Sequence, residues 1–177
     1  FTTATRVQAR RNPDGPDAFR VFTVSRDPTL VPARAGLEIK PEYRFTDHPK
    51  IDVLIIPGGV VTEELKRPDV IAWIGEQSRS CQITASVCTG AFLLGAAKLL
   101  INRSATTHWE DIEDLRASFP ETSVLENRHW VDEGRVVTSA GISAGIHMCL
   151  HLVSRLASLD LARATARQLE FDWSGDA

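Results

Sequence analysis

Apolar residues along the chain fall into two patterns, which predict two kinds of secondary structure. Short apolar runs at Val53–Ile56 and Ile83–Val87 predict buried strands. Apolar positions three or four residues apart predict helices at Pro68–Arg79 and from Ile142 to Leu156. Strands that alternate with helices are typical of the α/β class with a mostly parallel sheet.

The remaining predicted elements are shorter. The further predicted helices are Gly90–Leu99, Trp109–Phe119 and Leu161–Glu170. The further predicted strands are Arg20–Ser25, Val124–Leu125, His129–Val131 and Arg135–Ser139. We expect Asp160 to cap the last helix, Arg10–Pro16 to be a loop, and Glu133-Gly134 to be the turn of a small antiparallel hairpin near residues 128–139.

Composition narrows the classes of protein to which the chain can belong. Its 177 residues suit a single domain spanning residues 1–177, and its net charge of −3 argues against nucleic acid as the main partner. No apolar run reaches the roughly 20 residues that a membrane span needs. Three cysteines without paired spacing indicate neither a disulfide framework nor a zinc site, so we expect a reducing, cytoplasmic location.

Cys88 is the candidate nucleophile. It follows the predicted strand Ile83–Val87 and precedes a predicted helix, and small residues, Ser86 and Gly90, stand two positions before and after it. This is the pattern of a nucleophile elbow, a sharp turn that holds a reactive side chain above a sheet. Main-chain N–H groups at the start of the helix would favour the thiolate and could stabilise an oxyanion. The alternative is a small buried hydrophobic residue, which is the interpretation we prefer for Cys81 and Cys149.

Other segments carry weaker signals for the same site. Pro57-Gly58-Gly59 ends a predicted strand and could bring a main-chain N–H close to the sulfur, or could be a plain turn. His108 could exchange a proton with the cysteine, or could be structural. Trp109 and Phe92 are candidates for an apolar pocket wall or for the core. His147 and His151 lie four residues apart, but no third metal ligand is apparent, so no metal site is predicted.

Taken together, four motifs resemble the DJ-1/PfpI superfamily of flavodoxin-like proteins. The motifs are Asp52-Val-Leu-Ile-Ile-Pro-Gly-Gly59, Ser86-Val-Cys-Thr-Gly90, Ala105-Thr-Thr-His-Trp109 and Thr138-Ser-Ala-Gly-Ile-Ser-Ala-Gly145. The resemblance implies a flavodoxin-like three-layer sandwich. It is nearest to the isocyanide hydratases and to the amidotransferase-like sensor domains of AraC-type transcription regulators.

The resemblance also implies roles for individual residues. Cys88 matches the family nucleophile, His108 matches a histidine found near it, and Gly59 and Thr89 match positions whose main-chain N–H groups face the sulfur. We therefore expect an oxyanion or substrate site formed by Gly58, Gly59, Thr89 and Gly90. The family pairs the cysteine with a carboxylate at the end of its first strand. The family pattern places that carboxylate before Phe1, so we expect the strand and the carboxylate upstream. Asp14-Gly15-Pro16 resembles the family's Asp-Gly-Pro only superficially, because it lies downstream in a loop.

Three functions remain open at this point. The first is a lyase that uses a cysteine nucleophile to hydrate an isocyanide to an N-formamide, without a cofactor. The second is a ligand-sensing domain related to the AraC-type regulators, and the third is a redox-responsive protein that oxidises Cys88. A peptidase is disfavoured because Thr89 stands where that branch carries a histidine. We expect a small-molecule ligand, no nucleic-acid or membrane partner, and a homodimer, as is common in the family.

Overall fold

The structure is a computed structural model that describes residues 1–27 and 29–175. The chain forms two compact units. The smaller unit contains Phe1–Phe22 together with the described residues from Ile146 onward, and the larger unit contains Thr23–Gly145. Among the described residues, no helix is both long enough and apolar enough to span a bilayer.

Helices and strands alternate through most of the chain. The helices are α1 (Thr2–Arg11), α2 (Thr62–Leu65), α3 (Pro68–Ser80), α4 (Gly90–Ala96), α5 (Ile112–Ser118), α6 (Ser143–Leu156) and α7 (Leu159–Gln168), with a 3-10 turn at Trp109–Asp111. The strands are β1 (Val24–Ser25), β2 (Val31–Pro32), β3 (Glu38–Ile39), β4 (Tyr43–Arg44), β5 (Val53–Ile56), β6 (Ile83–Val87), β7 (Ser104–Ala105), β8 (Ser123–Val124), β9 (Trp130–Asp132) and β10 (Val136–Ser139).

A four-stranded sheet in the order β5-β6-β10-β9 organises the larger unit. The pairs β5–β6 and β6–β10 are parallel, and β10–β9 is an antiparallel hairpin. Three further pairs of strands form small ribbons, of which β1–β4 and β7–β8 are parallel and β2–β3 is antiparallel. The fold is therefore α/β with mixed, mostly parallel strand pairing.

The parallel register fixes the place of Cys88. Ile56, Ser86 and Thr138 lie side by side on β5, β6 and β10. The loops that follow these strands therefore leave the sheet at the same edge, where ligands bind in parallel α/β folds. Cys88, Gly58 and Gly59 all belong to these loops.

The N-terminal helix α1 differs from the sequence prediction, which placed a loop at Arg10–Pro16. The helix is polar and continues to Arg11, with only Ala4 and Val7 buried. These two side chains pack in one apolar cluster with Val153 of α6 and Leu161 of α7. Tertiary packing therefore stabilises a helix that its own apolar pattern does not reveal.

Two helix ends also differ from prediction. Helix α7 is capped by Ser158, whose Oγ accepts a hydrogen bond from the Leu161 N–H at 3.1 Å, so Asp160 lies inside the first turn and not at the cap. Helix α4 ends at Ala96 and not at Leu99, because Lys98 adopts a left-handed conformation with φ +60°. The Leu99 N–H then donates to the Leu94 carbonyl oxygen at 3.0 Å, which closes the last turn.

Only part of the predicted strand Arg20–Ser25 forms. Residues Val24–Ser25 pair with β4, whereas the preceding residues form no strand. Phe19 packs instead against the apolar cluster of the smaller unit, with its ring centroid 5.0 Å from that of Phe1. Burial of an aromatic side chain in that cluster therefore takes the place of strand pairing.

Candidate functional site

Cys88 lies at a left-handed turn between β6 and α4. Its φ angle is +56°, a conformation that non-glycine residues rarely adopt. The Cys88 N–H donates to the Ser139 carbonyl oxygen at 3.1 Å, and the Cys88 carbonyl oxygen accepts from Thr107 Oγ1 at 2.9 Å. Neighbouring segments on both sides therefore fix the strained residue.

Glycines allow the two loops at this edge of the sheet to approach each other. A Cβ at Gly90 would lie 2.4 Å from the main-chain oxygen of Ile56. A Cβ at Gly58 would lie 2.7 Å from the main-chain oxygen of Val87 and 2.8 Å from Cys88 Cβ. Any side chain at either position would therefore push the β5 loop away from Cys88.

Thr89 locks the β5 loop against the turn. Its Oγ1 accepts a hydrogen bond from the Gly59 N–H and donates one to the Gly59 carbonyl oxygen, each at 2.8 Å. Gly59 has a φ of +125°, which is accessible to glycine and strained for other residues. The Gly59 N–H is thus engaged by the Thr89 hydroxyl in this state. Its part in holding an oxyanion stays a prediction.

His108 follows Thr107, the residue that donates to the Cys88 carbonyl oxygen, and its Nδ1 has partners within its own turn. Its Nδ1 accepts from the Glu110 N–H at 3.3 Å and lies 3.6 Å from a carboxylate oxygen of Glu110 and of Asp111. The ring packs against Gly141, where a Cβ would meet ring carbon Cδ2 at 2.1 Å. Among the hydrogen bonds of the described residues, none joins His108 to Cys88. Proton transfer between them stays a prediction.

The three cysteines differ in burial. Cys81 is 2% exposed, and burial raises the pKa of its thiol, with a smaller contribution in the same direction from the charge of Asp52. Burial also raises the pKa of the Cys149 thiol. Cys88 is partly exposed at the edge of the sheet. Solvent exposure therefore distinguishes the buried Cys81 from Cys88, whereas Cys149 is partly exposed, as Cys88 is.

The two aromatic candidates for a pocket wall have different environments. Phe92 packs on the apolar cluster of the larger unit, with its ring centroid 6.3 Å from that of Phe119. Trp109 is 76% exposed and lines an open groove of about 450 Å³ with Thr107 and Ala140. Neither Cys88 nor His108 lines this groove, so we do not assign it to the chemistry of Cys88.

Histidine, cysteine and carboxylate side chains do not gather into a metal site in the part of the chain that the structure describes. His147 and His151 lie on successive turns of α6. The site at Cys88 therefore consists of a thiol, main-chain groups and hydroxyls.

Sequence reasoning missed three residues that shape this site. Thr107 and Ser139 anchor the main chain of Cys88, and Gly141 makes room for the His108 ring. Ser139 is the last residue of β10, Gly141 follows it by two positions, and Thr107 follows the end of β7 by two positions. That placement at strand ends was the available signal, because such residues meet at one edge of a parallel sheet.

Comparison with known proteins gives relatives over most of the chain. The sequence model of the DJ-1/PfpI family matches residues 4–155. The isonitrile hydratase of Pseudomonas putida is 36% identical over 86% of this chain and 66% of its own length. The HTH-type transcriptional regulator GbdR of Pseudomonas aeruginosa is 28% identical over 89% of this chain and 43% of its own length.

The fold of this chain is similar to folds of solved structures. The crystal structure of a ThiJ/PfpI family protein from Pseudomonas syringae superposes with a TM-score of 0.79 at 27% identity. The match covers 86% of this chain and 63% of that protein. The chain thus spans about two thirds of these two bacterial relatives and less than half of the regulator.

Proposed function

Since the chain belongs to the DJ-1/PfpI family, we propose that it hydrates an isocyanide, also called an isonitrile, to the N-substituted formamide with Cys88 as the nucleophile. The observation that carries the proposal is the conformation of Cys88, left-handed at the end of a central parallel strand. Strained residues of this kind persist where surrounding contacts hold them, and they concentrate at active sites. The 36% identity with an isonitrile hydratase supports the substrate class.

The reaction needs a thiolate and a source of one proton. The Cys88 thiolate attacks the terminal carbon of the isocyanide, a carbon–sulfur bond forms, and the carbon takes up a proton to give a thioimidate. Water then adds to that carbon, the carbon–sulfur bond breaks, and the thiolate leaves. The net change is addition of one water to the isocyanide, which yields the formamide.

The contacts of Cys88 favour this role over a structural one. Hydrogen bonds from Thr107 and to Ser139 hold its main chain, so the side chain need not be tied down. Gly58 and Gly90 allow the loop after β5 to approach the main chain around Cys88 closely. We propose that the proton comes from a carboxylate, the group with which the family pairs its cysteine.

The test follows N-formamide formation from a small isocyanide by the protein. We expect Cys88→Ala to reduce the rate to the uncatalysed background, since no other described thiol lies at the edge of the sheet. Cys81→Ala, which alters a buried thiol in the same unit, is the matched control and should retain activity. Undiminished turnover in Cys88→Ala would overturn the proposal.

A second candidate is a ligand-sensing domain of a longer regulator. Its specific support is the similarity to GbdR, which extends over 89% of this chain. In that case Cys88 and its loops would bind a ligand without turning it over. Protein with Cys88 intact would then bind the isocyanide, as seen by calorimetry, and yield no formamide.

A further inference from the structure

Positive charge is concentrated on two helices of the smaller unit. Helix α1 carries three arginines and no acidic residue, and α7 carries two arginines and one aspartate. The chain as a whole has a net charge of −3. These two helices are therefore positively charged, although the chain as a whole is negatively charged.

Three of these arginines line one cavity. The cavity has a volume of about 370 Å³, and Arg10, Arg11 and Arg167 reach it from the last turns of α1 and α7. Val7 and Ala164 supply apolar surface, and Glu170 is the acidic residue in the described lining. The volume is within the usual range for small-molecule sites.

The guanidinium groups have few fixed partners. Arg10 Nη1 donates to Gln168 Oε1 at 3.1 Å. Arg11 pairs with Asp160 at 2.6 Å, but both side chains are well exposed, so this pair contributes little to stability. Among the described residues, the Arg167 side chain has no hydrogen-bond or ion-pair partner, although its main-chain carbonyl oxygen accepts from the Glu170 N–H at 3.1 Å. Donors on all three arginines therefore remain available to a ligand.

Helix-end electrostatics account for only part of this arrangement. A basic residue in a last turn complements the negative end of the helix dipole, about half a unit charge at each end. That effect favours one arginine at each of the two ends. It does not explain why three arginines line one cavity, where like charges repel one another.

We propose that this cavity binds a small anion that carries a phosphate group. Guanidinium groups present paired N–H donors that match phosphate oxygens, and groups from two helices can grip one tetrahedral anion from different sides. The anion also relieves the repulsion among Arg10, Arg11 and Arg167. The site lies entirely within the smaller unit and is independent of the chemistry proposed for Cys88.

The test uses inorganic pyrophosphate as the probe, with calorimetry and thermal unfolding at constant ionic strength. We expect saturable binding, and at about five times Kd a rise in Tm of roughly 2–4 °C. The double variant Arg10→Gln/Arg167→Gln removes two cavity arginines. The matched control is Arg6→Gln/Arg163→Gln, which removes two exposed arginines from the same helices outside the cavity lining and changes the net charge equally.

The proposal predicts at least a tenfold weaker affinity in the cavity variant and less than a threefold change in the control. Equal weakening in both variants would overturn it, because binding would then depend on the diffuse charge of α1 and α7. Binding that does not saturate, or a Tm that follows ionic strength whatever the anion, would also overturn it. Tight binding of a short DNA duplex together with weak pyrophosphate binding would assign the arginines to a nucleic-acid surface instead.

Discussion

The hydroxyl of Thr107 donates to the main-chain carbonyl oxygen of Cys88 across 2.9 Å, so the segment after β7 holds the turn that carries the thiol. Thr107 is 1% exposed. Its loss would leave the Cys88 carbonyl oxygen with one described donor, the Ala91 N–H at 3.2 Å.

We therefore expect Thr107→Val to lower the free energy of unfolding by about 1–3 kcal/mol and to change the alkylation rate of Cys88. Thr107→Ser retains the hydroxyl and should stay within about 1 kcal/mol of the wild type. Urea unfolding and timed labelling of both variants give these quantities. Equal stability of the valine and serine variants would contradict a structural role for the hydrogen bond.

Thiol reactivity should separate the three cysteines. Because burial raises the pKa values of Cys81 and Cys149, both thiols stay protonated at neutral pH and react slowly. We expect iodoacetamide to label Cys88 first. Labelling of the other two should increase only as the pH rises above the ordinary thiol range. Peptide mapping after brief labelling measures the order, and dominant labelling of Cys81 would refute it.

Glycine at position 90 should be essential to the packing of the sheet edge. Gly90→Ala would place Cβ 2.4 Å from the main-chain oxygen of Ile56, so we expect the free energy of unfolding to fall by roughly 3 kcal/mol or more. Gly75→Ala is the control, because Gly75 lies inside α3 and an added Cβ would be 4.0 Å from the main-chain oxygen of Ala97, an ordinary contact distance. That variant should gain about 0.5–1 kcal/mol. Chemical denaturation that gives similar values for both would contradict the close approach.

Arg135 should stabilise the sheet without affecting the thiol. Its Nη2 donates to the carbonyl oxygens of Ser78, Arg79 and Cys81 at 3.0, 3.1 and 2.8 Å, where α3 leads into β6. We expect Arg135→Gln to lower the free energy of unfolding by about 1–2 kcal/mol and to leave the labelling rate of Cys88 unchanged. Arg79→Gln changes the charge equally while keeping its main-chain carbonyl. A similar loss of unfolding free energy in that control would show that the effect comes from the change in net charge and not from the hydrogen bonds of Arg135.

The sequence was most informative where local pattern determines structure. The strand Ile83–Val87 and the hairpin of β9 and β10 follow from apolar runs and a Gly turn, and both form as predicted. Helix α1 escaped prediction because packing of Ala4 and Val7, not a regular apolar stripe, stabilises it. Local pattern carries no information on such long-range packing.

The same distinction between local pattern and long-range contacts applies to the candidate site. Cys88 and Gly90 could be predicted because an elbow is a local turn with local size requirements. The hydrogen bond between Thr107 and Cys88 joins residues 19 positions apart, and it depends on how separate strands are placed. The hydrogen bonds between Thr89 and Gly59 join residues 30 positions apart, and they also depend on how separate strands are placed.

The central claim is that Cys88 forms a covalent bond with the isocyanide carbon, and trapping that adduct tests it most directly. The protein is mixed with a small isocyanide, quenched in acid during turnover, digested and examined by mass spectrometry. We predict that the mass of the peptide containing Cys88 increases by the mass of one isocyanide, because the hydrogen added to the carbon replaces the hydrogen lost from the thiol. We also predict that Cys88→Ala shows neither adduct nor formamide. Formamide production at the wild-type rate by Cys88→Ala, or turnover with the adduct on another residue, would contradict the account.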